Sequence, residues 1–154
     1  MSDRSGVAVL KRTLEGQIIL PGDGGYDECR QVFNAMHDKR PALIARCASA
    51  GDVVAAVNFA RQHALEVAVR SGGHSVAGLS VCEGGILIDL AGLKTIEVDP
   101  TARTARAGGG VLWGEFDAAT QQHALHTPGG RVTTTGVGGF TSGGGYGWTS
   151  SKYG

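Results

Sequence analysis

Glycine is crowded into two parts of this chain, and that crowding limits what the chain can fold into. Of 26 glycines in 154 residues, six lie in residues 1–69, five in 70–85, one at position 92 and fourteen in 108–154. Glycine loses more conformational freedom on folding than any other residue. Clusters of it are therefore kept where the backbone needs unusual torsions or passes close to a ligand or another chain segment. The first cluster is Arg70-Ser71-Gly72-Gly73-His74-Ser75, and the second runs from Gly136 to Gly147 through Gly138-Gly139 and Gly143-Gly144-Gly145. A flexible linker is a poor explanation, because these runs are interleaved with Val, Phe, Leu, Trp and Tyr rather than Ser and polar filler.

A chain of this length makes one domain with a real core. Its 14 basic residues balance its 14 acidic ones. That balance argues against a nucleic-acid footprint and against an anionic-membrane partner. The three cysteines, Cys29, Cys47 and Cys82, form no CxxC pair and read as reduced thiols of an intracellular protein. Met1–Leu20 mixes Asp3, Arg4, Lys11, Arg12 and Glu15 among its apolar residues, unlike a signal peptide, and no stretch approaches the length of a membrane span. A cytoplasmic protein is expected.

Periodicity places the chemistry. Cys29, Val32, Phe33 and Met36 predict a helix over Tyr26–Asp38. Ala42–Ala45 reads as a buried strand, Ser49-x-x-Asp52 as the start of a helix reaching about His63 or Ala64, and Glu66–Val69 as a second strand. This βαβ-type unit delivers the Arg70 turn to the carboxyl end of a strand, where ligands bind in α/β sheets. Ile86–Leu90 is a further strand. Thr95–Val98 and Thr104–Ala107 form a hairpin, and Trp113–Ala124 an amphipathic helix that buries Phe116, Ala119 and Ala124. Beyond Thr127-Pro128-Gly129-Gly130 the chain reads as loop and glycine to its end. The fold class is α+β, with most of the chemistry in loops.

Consecutive N–H groups in a glycine turn form an anion-binding nest, and Ser71 and Ser75 add hydroxyls. The Arg70 turn is not a Walker A loop, because no Gly-Lys-Ser/Thr follows. Gly136-Val137-Gly138-Gly139-Phe140-Thr141 is not a dinucleotide fingerprint, since no clear strand precedes it and no helix is expected to follow. His74, in the middle of the turn, is read as a surface residue, a metal ligand, or a nucleophile and cofactor anchor. Metal is disfavoured, because no His, Cys or carboxylate sits at ligand spacing around it. His123 and His126, like His37 and His63, read as polar residues at helix C-termini.

Taken in order, several motifs resemble one family. They are Arg70–Gly78, Gly84-Gly85-Ile86-Leu87-Ile88-Asp89-Leu90, Gly108-Gly109-Gly110, Pro128-Gly129-Gly130, Thr135–Trp148 and Lys152-Tyr153-Gly154. Together they resemble the FAD-linked oxidases of the berberine-bridge-enzyme type, a group with a vanillyl-alcohol-oxidase-like, PCMH-type FAD-binding domain that includes 6-hydroxynicotine and carbohydrate oxidases. The likeness covers about Arg40 to Gly154. It implies that residues 1–39 are an N-terminal extension with a helix. Residues 40–154 would be the FAD-binding domain, a small βαβ subdomain plus the start of a second mixed one.

The resemblance implies FAD joined to His74 through an imidazole nitrogen and the flavin 8α carbon, a reaction that suits a neutral imidazole nucleophile. It implies a diphosphate held by Arg70, Ser71, Gly72, Gly73, His74 and Ser75, with Gly78 behind. Pro128, Gly129, Val132, Thr135, Gly136, Gly138, Gly139, Ser142, Gly143, Gly144, Tyr146 and Gly147 would lie along the ribityl chain and ring. Many relatives attach the flavin a second time through a cysteine, and the matching position here is Val132, so single attachment is expected. Family members continue well past this chain's last residue into a substrate domain carrying the catalytic base. The chain is thus expected to be an N-terminal fragment, with no catalytic base of its own and with strand edges open to self-association. The expected reaction of an intact version is hydride transfer from a small-molecule substrate to flavin N5, with oxygen as acceptor. The alternative is a non-catalytic fragment that folds or oligomerises and at most binds FAD reversibly.

Overall fold

The computed structural model describes residues 4–154. A four-stranded sheet organises the first half, in the order β1 (Gln17–Ile19), β2 (Leu43–Arg46), β4 (Ile86–Asp89), β3 (Val67–Arg70). β2, β4 and β3 run parallel, and β1 is antiparallel to β2. The apolar run Ile86-Leu87-Ile88 belongs to the central strand β4, which is buried on both faces, as parallel sheets require. Alternation along the strands divides the core. Leu43, Ala45, Ile86 and Ile88 meet α1 (Arg4–Thr13) and α3 (Ala50–Gln62) through Val7, Leu10, Ala56, Phe59 and Ala60. Ile44, Leu87 and Ala68 point the other way, toward Tyr26, Cys82 and Ile19.

The start of α3 uses its Ser-x-x-Asp signature in two ways. Ser49 caps the helix, its Oγ accepting from the Asp52 amide at 3.3 Å. The buried Asp52 carboxylate turns outward from the helix and accepts from the amides of Glu15, Gly16 and Ala48 at 2.8–2.9 Å. Burial pushes its pKa up, but these amide donors outweigh burial and hold it below the usual carboxylate range.

The second half is thinner. β5 (Ile96–Asp99) and β6 (Thr104–Ala107) form the expected hairpin, its turn fastened by Asp99 Oδ1 accepting from Thr101 and Ala102. Behind it, α4 (Trp113–Gln121) buries Trp113 and Phe116 against Val111. Among the described residues no helix is long and apolar enough to cross a membrane.

Three expectations are corrected. The helix predicted over Tyr26–Asp38 stops early: α2 spans Tyr26–Arg30, and Gln31 is already extended. Phe33 and Met36, two of the apolar residues whose spacing predicts that helix, are 69 % and 88 % exposed. α4 ends at Gln121, short of Ala124, which adopts a positive φ of 52° and lies on the surface. The segment after Gly136 is not loop. It forms α5 (Val137–Gly143), and α6 (Ser150–Tyr153) follows. The glycine content of the sequence hid α5, while the backbone supports it through bonds such as Phe140 N to Gly136 O at 3.1 Å. α1 and β1 went unrecognised in the sequence: the apolar run of α1 is short and flanked by charge, and β1 has only three residues.

Candidate functional site

β3 ends at Arg70, and the glycine turn leaves the sheet there. The turn is anchored by the Arg70 guanidinium, which donates Nη2 to Asp89 Oδ2 at 2.9 Å and Nη1 to the Gln31 carbonyl at 2.8 Å. Asp89, at the end of the neighbouring strand β4, is fully buried and also lies 3.7 Å from Arg46 Nε. Arg70 is therefore committed to the scaffold and does not line the cleft in front of the turn. That differs from the sequence expectation, which gave it to the cofactor.

The turn then leaves its amides unpaired. Gly73 takes a φ of 71°, which only glycine adopts freely. Among the described residues, the main-chain N–H groups from Ser71 through Ser75 find no acceptor. Among the described residues the buried Ser71 hydroxyl has no partner, an unsatisfied donor beside the turn. Ser75 Oγ is partly used, accepting from the Leu79 amide at 3.1 Å.

His74 sits between two neighbours. Its Nε2 lies 3.0 Å from Thr134 Oγ1, and its ring stacks on Phe33 with centroids 4.1 Å apart and planes 16° from parallel. Burial lowers its pKa from the ordinary histidine value, opposed by the backbone of Thr134. The imidazole is thus held toward its neutral, nucleophilic form.

The second glycine run supplies the opposite wall. Gly72 and Gly136 interleave so closely that a Cβ on either would strike the other's backbone. Beyond that crossing lies a cleft of about 550 Å³, lined by Ser71 to Val76, Val69, Leu79, Ser80, Thr135, Gly136, Gly139, Phe140, Gly143 and Gly144. A Cβ on Gly139 or Gly143 would meet no protein atom within 4 Å. Neither glycine is required by the protein's own packing. Both leave room in the cleft.

Of the residues expected around the cofactor, the structure brings Ser71, Gly72, Gly73, His74, Ser75, Thr135, Gly136, Gly139, Gly143 and Gly144 to this one cleft. The others lie elsewhere. Gly78 abuts the His37 ring, Gly129 lies against the Trp113 indole, and Gly147 sits against the Gly129 carbonyl. Gly138 is tight against the Gly109 carbonyl. Pro128 lines an adjacent groove of about 480 Å³ with Trp113 and Phe140. Tyr146 Oη accepts from Arg131 at 2.7 Å, Val132 lies half-exposed, and neither Val132 nor Ser142 lines the cleft. Sequence reasoning missed Val69, Val76, Leu79, Ser80, Phe140, Thr134 and Phe33. The aliphatic ones gave no chemical signal, and the last two are separated from His74 by 60 and 41 positions.

A cleft at the carboxyl ends of parallel strands, with free amides, an orphaned hydroxyl and glycines that leave room, suits a large anionic cofactor. Comparison with known proteins agrees. The family model for an FAD-binding domain matches residues 41–154. The chain belongs to the FAD-binding domain family of FAD-linked oxidoreductases. It is 38 % identical over 142 residues to (R)-6-hydroxynicotine oxidase of Paenarthrobacter nicotinovorans, covering 92 % of this chain and 31 % of that protein. Berberine bridge enzyme-like 8 of Arabidopsis thaliana is 33 % identical over 156 residues, covering 94 % of this chain and 30 % of the relative. The crystal structure of 6-hydroxy-D-nicotine oxidase from Arthrobacter nicotinovorans superposes with a TM-score of 0.88 at 38 % identity, over 91 % of this chain and 31 % of that one. The chain thus spans under a third of the length of these relatives. The fold is that of the PCMH-type FAD-binding domain.

Proposed function

We propose that this chain is the flavin-holding part of an FAD-dependent oxidoreductase, with the cofactor attached covalently through His74. The observation that carries the reading is the state of His74: partly buried, tilted toward neutrality, and engaged at one nitrogen only. In the tautomer whose Nε2 donates to Thr134 Oγ1, the lone pair of Nδ1 is left as the nucleophile. The amides of Ser71–Ser75 and the Ser71 hydroxyl would hold the diphosphate, because they are donors without acceptors beside the open cleft. Gly136, Gly139, Gly143 and Gly144 would pass alongside the ribityl chain and ring. Gly139 and Gly143 leave room a side chain would fill.

Held in this cleft, FAD would supply hydride acceptance at N5 and a route for electrons to oxygen. The protein's residues bind and orient it: Thr134 keeps the His74 tautomer, and Phe140 and Leu79 offer apolar walls. The substrate of the whole enzyme is read as a small molecule that donates hydride from a C–H bond. No cysteine stands at Val132, and Cys29, Cys47 and Cys82 do not line the cleft, which favours attachment at a single point.

Protein produced with ample FAD and precipitated in acid should retain its yellow colour. His74→Ala should release all of it. Colour that washes away from the unaltered protein would overturn covalent attachment.

A further inference from the structure

Resting on the flavin reading above, we infer that residues 31–39, outside the segment matched by the family model, belong to the cofactor site, with Phe33 as the residue that positions the His74 ring. The apolar spacing of this stretch predicts helix, yet it is opened out. Beside bonds within the strap and to Arg30, four of its hydrogen bonds run to the Gly73–Gly78 stretch. The Phe33 amide donates to the Gly73 carbonyl at 3.1 Å. The Val76 carbonyl takes two donors, Asn34 Nδ2 at 3.3 Å and His37 Nε2 at 2.9 Å. Because a carbonyl has no proton to give, His37 Nε2 must carry one. Lys39 Nζ donates to the Gly78 carbonyl at 3.3 Å.

Each of these bonds ends on a carbonyl oxygen, that of Gly73 in the turn or those of Val76 and Gly78 just after it. An unpaired carbonyl dipole beside a diphosphate would repel it, whereas a paired one is turned away and partly neutralised. The strap therefore divides the turn's polar groups. It occupies the carbonyls of Gly73, Val76 and Gly78 and leaves the Ser71–Ser75 amides for the anion.

Phe33 acts on the ring itself. It is 69 % exposed, so core burial does not explain its place, yet one face lies on the imidazole with centroids 4.1 Å apart. Rotation about the last torsion of a histidine is loosely restrained by its own covalent geometry. Here Phe33 fixes the plane of the ring and Thr134 fixes which edge faces the second glycine run. Together they aim Nδ1.

Two variants test this, Phe33→Leu and Phe33→Tyr, each checked for an unchanged fold by circular dichroism. On flavin-free protein, the His74 ring protons should resonate upfield through the ring current of Phe33. The displacement should vanish in Phe33→Leu and survive in Phe33→Tyr. On addition of FAD, the initial rate of covalent incorporation should fall roughly ten- to a hundredfold in Phe33→Leu and stay near wild type in Phe33→Tyr, as expected when a reacting group loses its alignment. Undisplaced His74 resonances in the wild type, or wild-type incorporation by Phe33→Leu, would overturn the role given to Phe33. A wild type that incorporates no flavin, with displaced resonances, would instead overturn the proposed covalent attachment while sustaining Phe33's hold on the ring.

Discussion

The two walls of the cleft are built on opposite plans. The wall after β3 is braced from behind by the buried Arg70–Asp89 pair, by the strap of residues 31–39 and by a central strand with no exposed residue. The wall of residues 136–147 rests on little: α5 buries none of its residues, and Val137 and Phe140 merely lean on the small Val111–Trp113–Phe116 cluster. One wall is preformed by the protein's own packing. The other has glycines that no internal contact requires, and it gains most from an occupant. An anchored turn beside a compliant wall suits a site that fixes one end of a long cofactor firmly and lets the rest settle.

The largest expected effect comes from attacking the braced wall. Asp89→Ala leaves the Arg70 guanidinium without its buried partner and should cost about 3–5 kcal/mol in urea unfolding. A loss under about 1 kcal/mol would show that the pair is not the brace described here. Trp113→Ala attacks the other wall. It should cost less, about 2–3 kcal/mol, below the usual range for deleting a buried tryptophan because its cluster is small. Hydrogen exchange should then accelerate in residues 104–143 while β2 and β4 stay protected. Equal loss of protection in β4 would erase the contrast between the halves.

Gly139→Ala separates stability from binding. Its new methyl meets no protein atom and sits in a helix. Stability should therefore hold or rise by up to about 1 kcal/mol. FAD affinity should fall about tenfold, or roughly 1.4 kcal/mol. Unchanged affinity would mean the cofactor does not pass there.

The smallest effect is electrostatic. Burial lowers the pKa of His74, so the unfolded chain binds its proton at a higher pH than the folded one. Stability should thus decline as pH falls from the ordinary histidine value toward the lower folded one, and be unaffected by this group above that range. The His74→Ala variant should lose that slope, which paired acid titrations of unfolding would reveal.

Much of this was legible in the sequence for physical reasons. β4 was readable because Ile86-Leu87-Ile88 is an unbroken apolar run. The hairpin was readable because Asp99-Pro100 marks its turn, and the His74 turn because two glycines flank a histidine after a strand. What stayed hidden depended on tertiary contacts. Val32, Phe33 and Met36 show helical spacing, but the bonds that open the strap come from residues some forty positions away. The α5 helix was invisible because local propensity argues against Val-Gly-Gly-Phe-Thr-Ser-Gly, and only its packing on Trp113 and Val111 makes it one. Arg70 shows the reverse: its place in the motif suggested a ligand contact, while the buried carboxylate of Asp89, its register partner on the adjacent strand, holds its guanidinium.

The central claim is that the cleft between these walls holds FAD by a bond to His74. Trypsin should release the peptide Ser71–Lys94 intact, and its mass in protein produced with FAD tests that bond directly. The account predicts the peptide carries the flavin, with fragmentation placing it on His74. An unmodified peptide from protein saturated with FAD would contradict it.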